Sequence, residues 1–145
     1  EQEMIQAFYR ASMAGVKVDL IVRGICCLKP GVEGLSENIQ VRSIIGRFLE
    51  HTRVFYFENQ GSPEIWAGSA DLMKRNLLRR VETCFPIESK KLRNRILDDL
   101  EIYLSDNSQA WILNADGRYH RVEKEDDAPS ISAQTTLLEQ MAKSF

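Results

Sequence analysis

"VKVDLIVRGICCLKPG", residues 16–31, begins as an aliphatic, β-branched run broken by single charges and turns abruptly to glycine, cysteine and proline. The first half, 16–23, is predicted to be a strand with the composition of a buried one. The second half opens a loop, 24–38, that holds three glycines and a proline. A cation ending a strand at the mouth of a glycine-rich loop stands where α/β sheets place ligand contacts. That cation is Arg23, and its planar fork suits phosphate because it donates two parallel hydrogen bonds. The plainer reading of Arg23 is a surface arginine paired with a carboxylate.

On the N-terminal side, Met4, Ile5, Phe8, Tyr9 and Ser12 recur at helical spacing over 2–14, and Gly15 is a natural stop. On the C-terminal side, "IQVRSIIGRFLEH", 39–51, starts as a short strand and is expected to turn helical before His51. Residues 53–59 read as a strand, "QGSP" as a turn and 64–70 as the returning strand. "DLMKRNLLRR" reads as a short helix with Asp71 placed to cap it, and "RVETCFPI" as another strand. The clearest helix is 88–107, with Leu92, Ile96, Leu100 and Leu104 at fours and Ile102 and Tyr103 broadening the face. "AWILN", "ADGR" and "YHRV" form a hairpin signal, and 132–145 a last helix with Ser132 as cap. Helices alternate with strands early and hairpins follow, so the expected class is α/β: one mixed sheet flanked by helices.

A chain of 145 residues with 43% apolar and 28% charged residues suits one domain with a real core. No apolar run reaches the roughly 18 residues of a membrane span, and no export leader is visible. The chain opens inside a helical pattern without Met, which reads as a piece of something longer. Cys26, Cys27 and Cys84 are odd in number and form no C-x-x-C pair, so they are expected to be reduced structural thiols in a cytoplasmic protein. A net charge of −2 does not point to nucleic acid. "KRNLLRR", 74–80, concentrates cations, while "EKEDD", 123–127, reads as a solvated acidic segment. Lys29 belongs to no P-loop, and no zinc-protease, EF-hand or dinucleotide fingerprint is present.

His51 heads "HTRVFYFE", an H-x-R-x4-E phrase, and "GSAD" follows at Gly68–Asp71. The arrangement resembles the H-x-K-x4-D and G-S-x-N signature of the phospholipase D group, with Arg53 for Lys, Glu58 for Asp and a longer spacing to the glycine. Arg75 and Arg79 share one helix face at i, i+4, and Arg80 alternates with Glu82 in the next strand. Together with a serine and a helix N-terminus they would suit a polyanion; the plain alternative is a basic surface helix. The aromatics Phe55, Tyr56 and Phe57 are expected to pack in the core.

Four phrases identify a resemblance: "LIVRGICCL" with "PG" after it, "LSENI", "RFLEHTRVFYFEN" and "SADLMKRNLLRRVE". In this order and spacing they resemble the C-terminal catalytic domain of the bacterial polyphosphate kinase family, and the similarity runs from about residue 1 to about 105. The resemblance implies a fold similar to phospholipase D, with residues 1–145 forming one such domain that lacks its first strand. It implies reversible transfer of the terminal phosphate of ATP to inorganic polyphosphate, with magnesium and through a phosphohistidine. That histidine belongs to the preceding catalytic domain, outside this chain. Arg23 matches the family's ATP-contacting arginine, His51 its second essential histidine, which faces the nucleotide phosphates and is the catalytic candidate here, and Arg80 a further phosphate contact. No magnesium ligand falls in this stretch. The implied partners are ATP or ADP, polyphosphate, the preceding domain and further copies of the full-length chain, not nucleic acid. The implied location is cytoplasmic, with peripheral membrane association. Lys74, Arg75 and Arg79 are added as polyphosphate contacts on charge alone.

Two other readings stand beside this one. A phospholipase D-type phosphodiesterase normally needs two H-x-K motifs; here Arg53 follows His51 and Val122 follows His120. A non-catalytic polyanion-binding module would bind polyphosphate without turnover.

Overall fold

A computed structural model describes residues 1–143; Ser144 and Phe145, the end of the expected last helix, lie outside them. In the stretch 16–31, β1 spans Val18–Ile21 and the chain leaves the sheet through Arg23 and Gly24. β1 runs parallel to β2, Ile39–Ile44, with Val18 opposite Ile39 and Ile21 opposite Arg42. The connecting loop is built around buried Ser36. Its hydroxyl donates to the Lys29 carbonyl at 2.6 Å and accepts from the Val32 amide at 3.1 Å. Next along, Asn38 is tied to the preceding helix, its amide donating to the Ser12 hydroxyl and its side chain to the Ser12 carbonyl.

Burial along β2 alternates as a strand requires, with Ile39 and Val41 inward on one face. They form the core with Leu28 and Leu113, and helix α1, Gln2–Met13, lays Ile5, Phe8 and Tyr9 over them. Each such aliphatic side chain contributes about 1.5–3 kcal/mol on burial. Arg42 points the other way and donates to the carbonyls of Tyr103 and Asp106 at 3.0 and 3.4 Å. These belong to the C-terminal end of α3, Lys90–Ser105, so Arg42 satisfies carbonyls that a helix end leaves open. Helix α4, Ala133–Ala142, packs against α3, and Ser132 caps it as expected. The hairpin is also as expected: β6, Ala110–Leu113, joins β2, and β7, Tyr119–Arg121, joins β6, giving the order β1-β2-β6-β7.

Asp106 locks this half together. It is buried at 2% exposure, and one carboxylate oxygen accepts from the amides of Ser108, Gln109 and Ala110 at 2.7–3.0 Å. The other accepts from the Ala133 amide, the first residue of α4, at 2.7 Å.

The single mixed sheet of the sequence reading is corrected: β3, Val54–Phe57, β4, Glu64–Gly68, and β5, Cys84–Pro86, form a separate antiparallel sheet. Its edge position explains a second correction. Tyr56 and Phe57 are 42% and 55% exposed, because β3 has a neighbour on one side only and little cover. Cys27 and Cys84 are exposed free thiols, so neither fills a core. Glu58, set against the phospholipase D acid above, accepts from the Gln60 and Gly61 amides and holds a tight turn instead. The stretch 45–51 is not helical; it is an irregular segment held from outside. No helix of the described residues is long and apolar enough to cross a membrane.

At Gly68 an added Cβ would stand 2.9 Å from the Thr83 carbonyl oxygen, a backbone atom that cannot swing aside. Gly68→Ala is therefore expected to destabilise the chain by about 1–3 kcal/mol by prising β4 from β5. Chemical denaturation measures this, and an unchanged midpoint would show that the second sheet absorbs the methyl group.

Candidate functional site

Because β1 and β2 are parallel, their C-terminal ends open at the same edge of the first sheet. Arg23 lies just past one end, and the segment 45–53 leaves the other. The Arg23 guanidinium donates through Nη1 to the Glu50 carbonyl at 2.8 Å. Through Nη2 it grips both oxygens of Asp71, at 2.8 and 3.1 Å. Arg53 reaches the same carboxylate from the second sheet, its Nε 2.9 Å from Asp71 Oδ1, and its Nη1 donates to the His51 carbonyl at 3.1 Å. Arg23 and Arg53 thus flank the backbone of residues 50 and 51. The three charged side chains are 23–26% exposed, enough for a solute to reach them.

Asp71 is consequently not the helix cap that local spacing suggests. Helix α2 spans Lys74–Arg79, its cap position is Met73, and no side chain bonds there. A carboxylate with two guanidiniums in reach is better satisfied by charge-assisted bonds than by one amide. The Arg53 hydrogen bond, helped by the charge of Arg23, holds the Asp71 carboxyl below its ordinary range despite some burial. A depressed value means that its contribution to stability is complete above the ordinary carboxylate range and vanishes only as pH falls through the depressed one. Between about pH 5 and 8 the Asp71 carboxylate therefore stays charged.

The His51 segment is pinned by α3 and α4. Tyr103 of α3 donates its hydroxyl to Glu50 Oε2 at 2.7 Å. Burial, and then the Glu50 bond and charge, push that phenol upward, so it remains a donor. Gln134 of α4 donates to the Phe48 carbonyl and to Glu50 Oε1, both at 2.7 Å, and accepts from the Phe48 amide at 3.0 Å. Its amide thereby pairs with the loop as a strand neighbour would. Gly46 makes room for it, since a Cβ there would meet the Gln134 and Gln109 side-chain oxygens.

Beyond Gly68, the Ser69 hydroxyl donates to Glu82 and accepts from the Thr83 amide, while buried Asn76 of α2 donates to the other Glu82 oxygen at 2.7 Å. The Ser69 bond first and the Asn76 bond second hold the Glu82 carboxyl below its ordinary range. Arg80 follows α2 in an extended conformation, and Glu82 feels the charge of both Arg80 and Arg53. The structure thus brings Arg23 and the backbone of residues 50 and 51 together, while among the described residues no hydrogen bond or ion pair joins the Arg80 side chain to them. Lys74, Arg75, Arg79 and Arg80 are exposed, and their side chains make no hydrogen bond or ion pair among the described residues. His120 lies elsewhere, in β7 opposite Ile112.

Sequence reasoning left Arg53 and Asp71 out of the site, although both lie inside the quoted phrases. A lone aspartate between a glycine-serine strand end and a basic helix carries a usable signal: it has arginines to neutralise. As chemistry, guanidiniums converging beside a histidine at a half-open edge can hold phosphoryl oxygens and neutralise their charge. The residues do not make a metal centre. Glu50, Asp71 and Glu82 are already engaged, and among the described residues no group of three His, Cys, Asp or Glu side chains could hold an ion.

Residues 1–134 match the family model described as polyphosphate kinase C-terminal domain 2. The chain is 55% identical over 142 residues to the polyphosphate kinase of Pseudomonas aeruginosa, covering 98% of this chain and 21% of that one. It is 57% identical over 134 residues to polyphosphate kinase 1 of Chlorobaculum tepidum, covering 92% and 19%. The crystal structure of the polyphosphate kinase from Porphyromonas gingivalis superposes with a TM-score of 0.93 at 40% identity, covering 99% of this chain and 22% of that one. The chain spans about a fifth of the length of the relatives it matches.

Proposed function

The chain belongs to the polyphosphate kinase family, and from that premise we propose that it supplies the nucleotide-phosphate half of a phosphotransferase site. The observation that carries this reading is the convergence of Arg23 and Arg53 on Asp71 against the backbone of His51. In this reading the complete enzyme moves the terminal phosphate of ATP reversibly onto inorganic polyphosphate. The phosphohistidine that relays it lies in the preceding domain, and the fold is a phospholipase D-like half.

Phosphoryl transfer asks the protein mainly for position and for charge on the oxygens. Arg23 and Arg80 neutralise phosphate charge as the terminal group departs. His51 gives a proton to a phosphate oxygen or holds it by a hydrogen bond. Lys74, Arg75 and Arg79, exposed on α2, contact the polyphosphate chain by charge. Magnesium, when bound, screens the nucleotide phosphates; no residue here is assigned to it.

The isolated chain tests the reading. It is expected to fold, to bind polyphosphate in a salt-dependent way, and to transfer no phosphate between ATP and polyphosphate until the preceding domain is added. Transfer by the chain alone would overturn the reading. Hydrolysis of a generic phosphodiester by the chain would point instead to a self-contained phosphodiesterase, and binding with no gain on adding the domain to a non-catalytic module.

A further inference from the structure

Asp71 stands out because it joins what two different sheets deliver. Arg23 arrives from β1 and Arg53 from the start of β3, while Asp71 itself follows β4. Its Oδ1 accepts from both guanidiniums, at 2.8 and 2.9 Å, so their separation is set by one oxygen atom. The cluster is not saturated. Arg53 uses Nε for Asp71 and Nη1 for the His51 carbonyl, and its Nη2 makes no hydrogen bond among the described residues. Arg23 uses both Nη atoms, and its Nε is likewise unengaged. Two positive forks against one carboxylate leave a surplus positive charge, with unengaged donors on both and partial exposure to solvent. A purely structural ion pair would need neither the second arginine nor the free donors.

We propose that Asp71 is a positioning residue that holds Arg23 and Arg53 as a fixed pair of forks, and that Arg53, through Nη2, is a second ligand for the phosphoryl group Arg23 contacts. This rests on the reading of Arg23 as a nucleotide-phosphate contact. Without Asp71 the two guanidiniums repel each other and swing apart, so the loss of preorganisation outweighs the gain in positive charge.

The test is steady-state kinetics of the complete kinase with ATP varied. Asp71→Asn keeps the shape and removes the charge, and it is expected to raise KM for ATP about tenfold or more, as loss of a residue that orients a ligand does. Added to Arg23→Ala, Asp71→Asn is expected to cost clearly less than it does alone, because the part that acts through Arg23 is already lost and residues acting through one another are non-additive. A merely structural aspartate would give independent, multiplying effects. If Arg23→Ala leaves KM for ATP unchanged, the reading of the site itself fails. If Arg23→Ala raises KM but Asp71→Asn does not, or if the two effects multiply, the positioning role is overturned. Arg53→Met leaves the Arg23–Asp71 pair in place and serves if Asp71→Asn does not fold. It is expected to raise KM by a similar factor, and an unchanged KM would remove Arg53 from the site and overturn the proposal.

Discussion

Replacing Arg23 by alanine in the complete kinase is expected to lower kcat/KM for ATP by about 100- to 1,000-fold, the usual cost of deleting one preorganised donor to developing charge. The substitution removes a fork, not a structural post: the side chain is only partly buried, and its partners Glu50 and Asp71 keep their bonds to Gln134, Tyr103 and Arg53. Thermal stability should therefore change little while turnover collapses. Arg23→Lys sharpens the point. A lysine restores the charge but not the planar pair of donors, so it should recover only part of the loss. Full recovery by lysine would reduce Arg23 to a point charge. Retention of wild-type kcat/KM in Arg23→Ala would remove it from the site altogether.

Asp106→Ala is expected to cost the isolated chain about 3–5 kcal/mol, a loss of the size reserved for buried networks. Four backbone amides converge on the two oxygens of that carboxylate. Alanine would orphan all of them in a site where the aspartate is 2% exposed. The same carboxylate ties the entry of β6 to the start of α4, so its loss also frees Gln134, which pins the His51 segment. Asp106→Asn restores one acceptor but turns an N–H₂ toward the remaining donors, so it should fall between wild type and alanine. Urea denaturation followed by circular dichroism reads the difference. A loss of less than about 1 kcal/mol would mean that water replaces the carboxylate and that the network is not structural.

What the sequence disclosed follows a physical line. Elements fixed by local pattern were legible: α1 and α3 from their periodicity, α4 from its Ser132 cap, the β6–β7 hairpin from its Asp-Gly turn, and β1 from its aliphatic run. Elements fixed by distant partners were not. Residues 45–51 carry a helical pattern, yet Phe48 and the Glu50 side chain are hydrogen-bonded to Gln134 and Tyr103, more than 50 residues away. Asp71 looked like a cap because Arg23, 48 residues earlier, is invisible to local spacing. The division of the strands between two sheets is likewise a long-range choice: β2 takes β6 as its neighbour, and β3 and β4 pair only with each other and β5. The candidate residues Arg23 and His51 stand in motif phrases and could be singled out from them. What holds them in place could not, since it comes from both sheets and from α3 and α4.

The most direct test of the account is to find which histidine takes the phosphate. The complete kinase is incubated with ATP labelled at the γ-phosphate, quenched in base to preserve phosphohistidine, digested, and the labelled peptide sequenced. Label is expected on a histidine outside residues 1–145, in amounts that fall when Arg23 or His51 is replaced. Label recovered on the peptide that contains His51 would contradict it, because His51 would then be the carrier of the phosphoryl group and not its assistant.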